Sequence, residues 1–132
     1  MKLIALPLAL LALTASTPPP VTTVPASLAG TKWTIAAIDG AKPVKADASL
    51  SFEADAISAN IGCNGMGGAY HLEGSTLVAG PIISTQMYCD GVMEQERAVS
   101  ALLGAKPQVT LINGRRLILV TKDHRIKLNR AN

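Results

Sequence analysis

Aromatic side chains are almost missing from this chain. Trp33, Phe52, Tyr70 and Tyr88 are the whole set among 132 residues. Four rings do not make the stacking platform on which single-stranded nucleic acids are bound, so no nucleic-acid partner is expected. Charge is thin as well: Asp, Glu, Lys and Arg are 16% of the residues, against 48% hydrophobic. A disordered chain shows the reverse balance, so a packed core is expected. Only two cysteines and two histidines occur, with no Cys-x-x-Cys and no histidine beside either cysteine. That leaves little from which to build a metal site. No long uninterrupted apolar run follows residue 13, so the chain is not polytopic. Its length suits one domain and is short for a two-domain cofactor enzyme; no cofactor is expected.

What is there begins with an export signal. Met1-Lys2 precedes an apolar run over residues 3–13, and Thr14-Ala15-Ser16 follows. A short positive start, an apolar stretch and small residues at its end mark a signal peptide over residues 1–16. The run falls short of the about 20 residues that span a bilayer, and Pro7 interrupts it. A lipoprotein signal needs a cysteine directly after the small residues, where Thr17 stands. A soluble periplasmic or secreted product is therefore expected, with no stable membrane insertion after cleavage. Residues 17–27 hold Pro18, Pro19, Pro20 and Pro25, which predicts an extended tether. The folded domain is expected over residues 28–132.

Hydrophobic periodicity predicts short strands over residues 33–38, 50–53, 57–61, 69–72, 76–78, 109–112, 117–121 and 126–128. A short edge or loop is expected at 82–85. Asp39-Gly40 and Asn113-Gly114 are turn signals, the second the strongest hairpin signal in the chain. One helix is expected over residues 90–103, with Asp90 as N-cap, Glu94 and Glu96 near the positive end of the helix dipole, and Gly104 as the stop. Val92, Ala98, Val99, Leu102 and Leu103 fall on one stripe of that helix. The predicted class is mainly β (α+β): a small antiparallel curved sheet or partly open barrel, with the helix packed against it.

Few residues offer chemistry. In an exported protein, Cys63 and Cys89 most simply form a disulfide; free thiols, a metal site or a catalytic thiol are the alternatives. Residues 62–68 contain four glycines, but neither a Walker ending nor Gly-x-Gly-x-x-Gly opening a helix. A bulge or tight crossing beside the cystine fits better than a phosphate cradle, and neither helix nor regular strand is expected there. Glu94 and Glu96 face different directions on a helix, and Glu96 lies near the apolar stripe, where bonding to loop backbone is expected. Ser84 and Thr85 lack a glycine elbow and a placed histidine. His71 in a strand and His124 in a turn are expected as surface groups. Trp33 reads as a core plug at a barrel end, with ligand stacking as the alternative. Seven basic residues and one acid lie between Lys106 and Arg130. Phosphates or anionic lipid could meet such an end, although the wet face of alternating strands accounts for it more simply.

Gly30-Thr31-Lys32-Trp33, then Gly62-Cys63-Asn64 with Gly68-Ala69-Tyr70, then Ser84-Thr85-Gln86-Met87-Tyr88-Cys89, then Glu96 before Leu102-Leu103, and Leu117-x-Leu119 late in the chain, closely resemble the META domain (HslJ-like) family. The resemblance covers about residues 28–129. Gly65 departs from it, since members usually carry a larger polar residue, often Arg, after the asparagine. The resemblance implies antiparallel strands with a helix in a cracked barrel. It also implies exported or membrane-attached proteins, some linked to heat shock, novobiocin tolerance, or motility and secretion. It carries over no catalytic residue. Trp33, Gly62, Asn64, Gly68, Tyr70, Ser84, Thr85, Met87 and Glu96 are its structural motif positions here.

Two functional classes follow. The first is a monomeric, non-enzymatic envelope protein acting in stress tolerance by binding an envelope protein or an apolar ligand. The second is a lipid or small-ligand carrier, or pilot-like chaperone, holding its ligand inside the barrel. A hydrolase using Glu96 or a histidine has the least support.

Overall fold

Side-chain alternation sets the strands. In a computed structural model that describes residues 2–132, strand β2 (Thr31–Ile38) turns Trp33, Ile35 and Ile38 inward and leaves Lys32, Thr34 and Ala36 in solvent. The same period governs β3 (Ser49–Phe52) and β4 (Ala56–Asn60), which bury Leu50, Phe52, Ile57 and Ala59. They continue into β5 (Gly65–Glu73) and β6 (Thr76–Ala79), making a five-stranded meander. After the two-residue strand β7 (Ile83–Ser84) and helix α1 (Met93–Gly104) comes a second meander: β8 (Gln108–Ile112), β9 (Arg116–Val120) and β10 (Arg125–Arg130).

Both Asp39-Gly40 and Asn113-Gly114 turn with positive φ at each residue, 51° and 82° in the first, 52° and 69° in the second. That conformation matches strand twist in tight hairpins and explains the residue choice. The two meanders join where β10 pairs with β2, and the ring runs β8-β6-β5-β4-β3-β2-β10-β9 and back to β8. The barrel is thus closed, with eight antiparallel strands, where the sequence left a partly open one in view. Its seam is thin. β6 meets β8 through the pair Thr76–Gln108, with backbone bonds from Leu77 N to Pro107 O at 2.9 Å and from Val109 N to Ser75 O at 2.7 Å.

The interior is filled. Trp33, Leu50, Phe52, Ile57, Leu77, Leu117, Leu119 and Ile126 are fully buried within one apolar cluster. An eight-stranded ring is just wide enough for such side chains. None of these eight side chains lines the five main clefts of the described residues. The carrier reading, which needs a hollow barrel, finds no room in it.

Four expectations are corrected. The glycine-rich stretch is strand from Gly65 onward, paired with β4. It can be so because a Cβ on Gly67 would stand 2.6 Å from Ile57 O, and one on Gly68 2.7 Å from Pro81 O; the strand is crowded by backbone on both faces. The helix starts at Met93, with Val92 in the cap position and no side-chain cap; Asp90 does not serve. Gly104 is the last helical residue, and the left-handed turn after it falls to Lys106 at φ 53°. The proline-rich segment is tied down at its end: β1 (Thr22–Thr23) pairs with Ile112 and Leu111 of β8, and Pro25 is buried. β8 outruns the short β5–β6 hairpin, so part of its edge lacks a barrel partner, and β1 takes that place.

Candidate functional site

Asn64 sits just after Cys63, where the chain enters β5, and is almost wholly buried. Its side chain uses all four of its hydrogen-bonding positions. Nδ2 donates to Glu96 Oε1 at 2.8 Å and to Met87 O at 2.8 Å, while Oδ1 accepts from Thr85 Oγ1 and from Met87 N, each at 2.8 Å. The Asn64 backbone N–H donates to Glu96 Oε2 at 3.0 Å. One amide and one buried carboxylate therefore clamp three segments: the start of β5, the loop over residues 84–88, and the first turn of α1. A buried carboxylate stays in place only when such bonds satisfy it. The expectation that Glu96 bonds to loop backbone holds, and the loop is the one carrying Asn64.

Cys63 and Cys89 are disulfide-bonded, with their Cα atoms 6.0 Å apart. The bond encloses the same loop and ties it to β5. Closing it removes about 3.5 kcal/mol of chain entropy from the unfolded state in the loop-entropy model. Thr85 N adds a backbone bond to Gly65 O, and β7 pairs Ser84 with Met66.

Between this loop and α1 lies an open cleft of about 300 Å³. Asn64, Met66, Ser84, Thr85, Met87, Tyr88, Met93 and Glu96 line it, with Arg97 and Ser100 on the helix. Two apolar side chains of its lining stand in solvent: Met87 is 57% exposed and Tyr88 79%. Three of the chain's four methionines meet here. Thioether side chains are unbranched and polarizable, and they adapt to irregular apolar partners.

The motif positions thus divide. Asn64, Ser84, Thr85, Met87 and Glu96 come together around the cleft beside the cystine. Gly62 turns the chain before it, with φ 121° and its N–H on Asn60 Oδ1 at 2.8 Å. Gly68 makes the close crossing with Pro81. Trp33 and Tyr70 belong to the barrel. The Trp33 indole N–H donates to Thr31 Oγ1 at 2.8 Å, and the Arg130 guanidinium lies 5.8 Å from the ring centre, so the ring is a plug and not a stacking surface for a ligand. Tyr70 meets Phe52 edge to face and donates its hydroxyl to Glu53 O at 2.7 Å. Burial, together with Asp55 and Glu53, raises its phenol above the usual range.

Sequence reasoning missed Met66 and Met93 as cleft residues, because they lie on separate elements with no common spacing. It also missed Gln95, which accepts from Val44 N and donates to Lys42 O, tying α1 to the loop after β2.

The histidines lie elsewhere. His71 pairs with Glu73 at 3.0 Å in solvent, and that contact lowers the Glu73 carboxyl. His124 Nδ1 meets Asp39 Oδ2 at 2.8 Å. Burial works to raise the Asp39 carboxyl, but the Arg125 N–H and His124 outweigh it and hold it below the ordinary range. Neither histidine lines the cleft that holds Glu96. No group of three or more His, Cys, Asp or Glu placed to hold a metal occurs among the described residues.

A family model described as the META domain matches residues 26–132. No curated protein matches the chain. Two structures solved by NMR share its fold. One has a TM-score of 0.68 at 23% identity, covering 77% of this chain and 90% of the other. The second, from Burkholderia xenovorans, has a TM-score of 0.65 at 21% identity, covering 80% and 84%.

Proposed function

Because the chain belongs to the META domain family, we propose that it is an exported, non-enzymatic binding protein of the cell envelope, and that it contributes to heat or antibiotic tolerance. Its working surface is the cleft between the 84–88 loop and α1. The observation that carries this reading is the division of labour in the cleft. The polar groups of Asn64 and Glu96 are spent on each other and on the loop. The neighbouring Met87 and Tyr88 stand in solvent on a loop held by the Asn64 bonds and the cystine. An acid locked in this way has no free geometry for proton transfer to a substrate. An exposed apolar lip on a rigid frame suits an apolar ligand or a segment of an envelope protein. The protein acts as a monomer and takes no cofactor and no nucleic acid.

Export rests on the exposed apolar run over residues 3–13 and on a disulfide, the mark of an oxidising compartment. The test is survival under heat and under novobiocin in cells lacking the gene, restored with the wild-type chain or with Met87→Glu or Tyr88→Ala. Both side chains are exposed, so the variants should fold, which the thermal midpoint checks. Wild type restores tolerance and the lip variants do not. Full restoration by both would remove the cleft from the mechanism, and a deletion that alters neither tolerance would remove the stress role.

A further inference from the structure

The charges of this chain are sorted in space. Residues 106–132 carry seven basic side chains and one acid, whereas residues 17–105 carry four basic and eight acidic. The fold turns that order along the chain into a face. β8, β9 and β10 are adjacent, and β10 pairs with β2. Outward on this wall stand Arg116 on β9, Arg125 and Lys127 on β10, and Lys32 on β2, all exposed. The register sets Asn129 between Arg116 and Thr34, and Lys127 between Ile118 and Ala37, so no acid lies across from Arg116 or Lys127; Asp39 faces Arg125 and takes its backbone N–H. Among the described residues the ion pairs are His71–Glu73 and His124–Asp39, and neither engages these cations. Like charges left unneutralised side by side work against the folded state, so the wall does nothing for stability by itself.

The N-terminal arm leaves the barrel at the rim of this same wall. Val21 N donates to Asn113 Oδ1 at 2.9 Å, and Asn113 N returns a bond to Val21 O at 2.8 Å. Pro20 shares a cleft of about 290 Å³ with Arg115, Arg116 and Asn129. On the export reading residues 1–16 are removed, and the arm left at this rim, residues 17–21, carries no acid. Clustered basic side chains are drawn to the headgroups of an anionic bilayer within about a Debye length.

We propose that the β8–β9–β10 wall, with Lys32, docks this protein on an anionic phospholipid surface. The wall is a spread of exposed cations with no aromatic side chain pointing out of it, which suits many headgroup phosphates and not stacked bases. The proposal is independent of the α1 cleft, which stays free to bind.

The test is partition of the mature chain, residues 17–132, onto phosphatidylcholine vesicles with and without phosphatidylglycerol, at low and high salt. The wall is read as the phosphatidylglycerol-dependent increment. Each cation near such a surface is worth about fivefold in partition, so Arg116→Gln with Lys127→Gln should lose roughly 25-fold of that increment. Lys42→Gln with Lys45→Gln, outside the wall and equal in charge removed, should lose less than about twofold at the same ionic strength. High salt should erase the increment in the wild type. An increment unchanged by the wall pair, or lowered equally by both pairs, would overturn the proposal. So would retention on a single-stranded oligonucleotide with no phosphatidylglycerol dependence. Unaltered thermal midpoints establish that each variant is folded.

Discussion

Asn64 is the residue on which the cleft's order depends, and its replacement tests that directly. In Asn64→Leu the buried Glu96 Oε1 loses its donor, and Thr85 Oγ1 and both backbone groups of Met87, nearer the surface, lose their partner as well. Unsatisfied buried groups cost about 1–3 kcal/mol each, and more where a charge is involved. A loss of about 3 kcal/mol or more is expected, read as a lower urea midpoint with an unchanged slope. Glu96→Gln should be milder, about 2 kcal/mol, because its amide keeps one acceptor but turns a donor toward the donors of Asn64. Gly67→Ala tests crowding, not polarity: the added carbon meets Ile57 O, which is strand backbone and cannot move aside alone. A loss of about 1–3 kcal/mol is expected on the same assay. Gly65, with open space where its Cβ would stand, should accept a side chain without such a loss.

Among the elements, the two ends of α1 show how far the sequence could be read. The buried stripe of Val92, Ala98, Val99, Leu102 and Leu103 is legible from periodicity alone, since one face of a helix must meet the core. The ends are not, because tertiary contacts set them. The cystine and the Asn64 clamp hold the loop before the helix, so Asp90 is not needed as a cap. At the other end Lys106 adopts a left-handed conformation that glycine takes at no steric cost. Lys106→Gly should therefore raise stability by up to about 1 kcal/mol, visible in the thermal midpoint. The hairpin turns were legible for the opposite reason: positive φ at both central residues leaves few choices besides Asp-Gly and Asn-Gly. The glycines of β5 misled because glycine usually weakens a strand, and only the crossing of Ile57 and Pro81 backbones shows why it is needed there. The Asp39 turn also carries a pH dependence. Its folded-state carboxyl lies below the ordinary value of 3.8, so its stabilising share is complete above that value. The share is lost as the pH falls through the lowered folded-state value. Asp39→Asn should flatten the acid limb of a stability–pH curve by this contribution and leave the curve near neutrality parallel to wild type.

At the scale of the whole molecule, two closures hold the barrel, and they differ in kind. The cystine is covalent, and reducing it should cost about 3.5 kcal/mol by the loop-entropy model, seen as a lower urea midpoint in reductant. The seam between β6 and β8 is closed by one residue pair, two backbone bonds, and side-chain bonds from Ser75 to Gln108 and from Gln108 to Thr76. Every other neighbour in the ring shares at least four residue pairs. Strand patterns cannot announce that difference, since Thr76 and Gln108 alternate like any other positions; closure depends on where the last strand of one meander meets the first of the next. Local opening follows the weakest set of bonds. Native-state hydrogen exchange should therefore find the amides of Leu77 and Val109 opening well below the global unfolding free energy, while those of β3 and β4 exchange only with global unfolding. Gln108→Leu removes the seam's side-chain bonds and leaves its two backbone bonds, so it should speed exchange at Leu77 and Val109 and leave β3 and β4 nearly untouched. Equal acceleration across all strands would mean that the barrel opens as one unit and that the seam is no weaker than the rest of the ring.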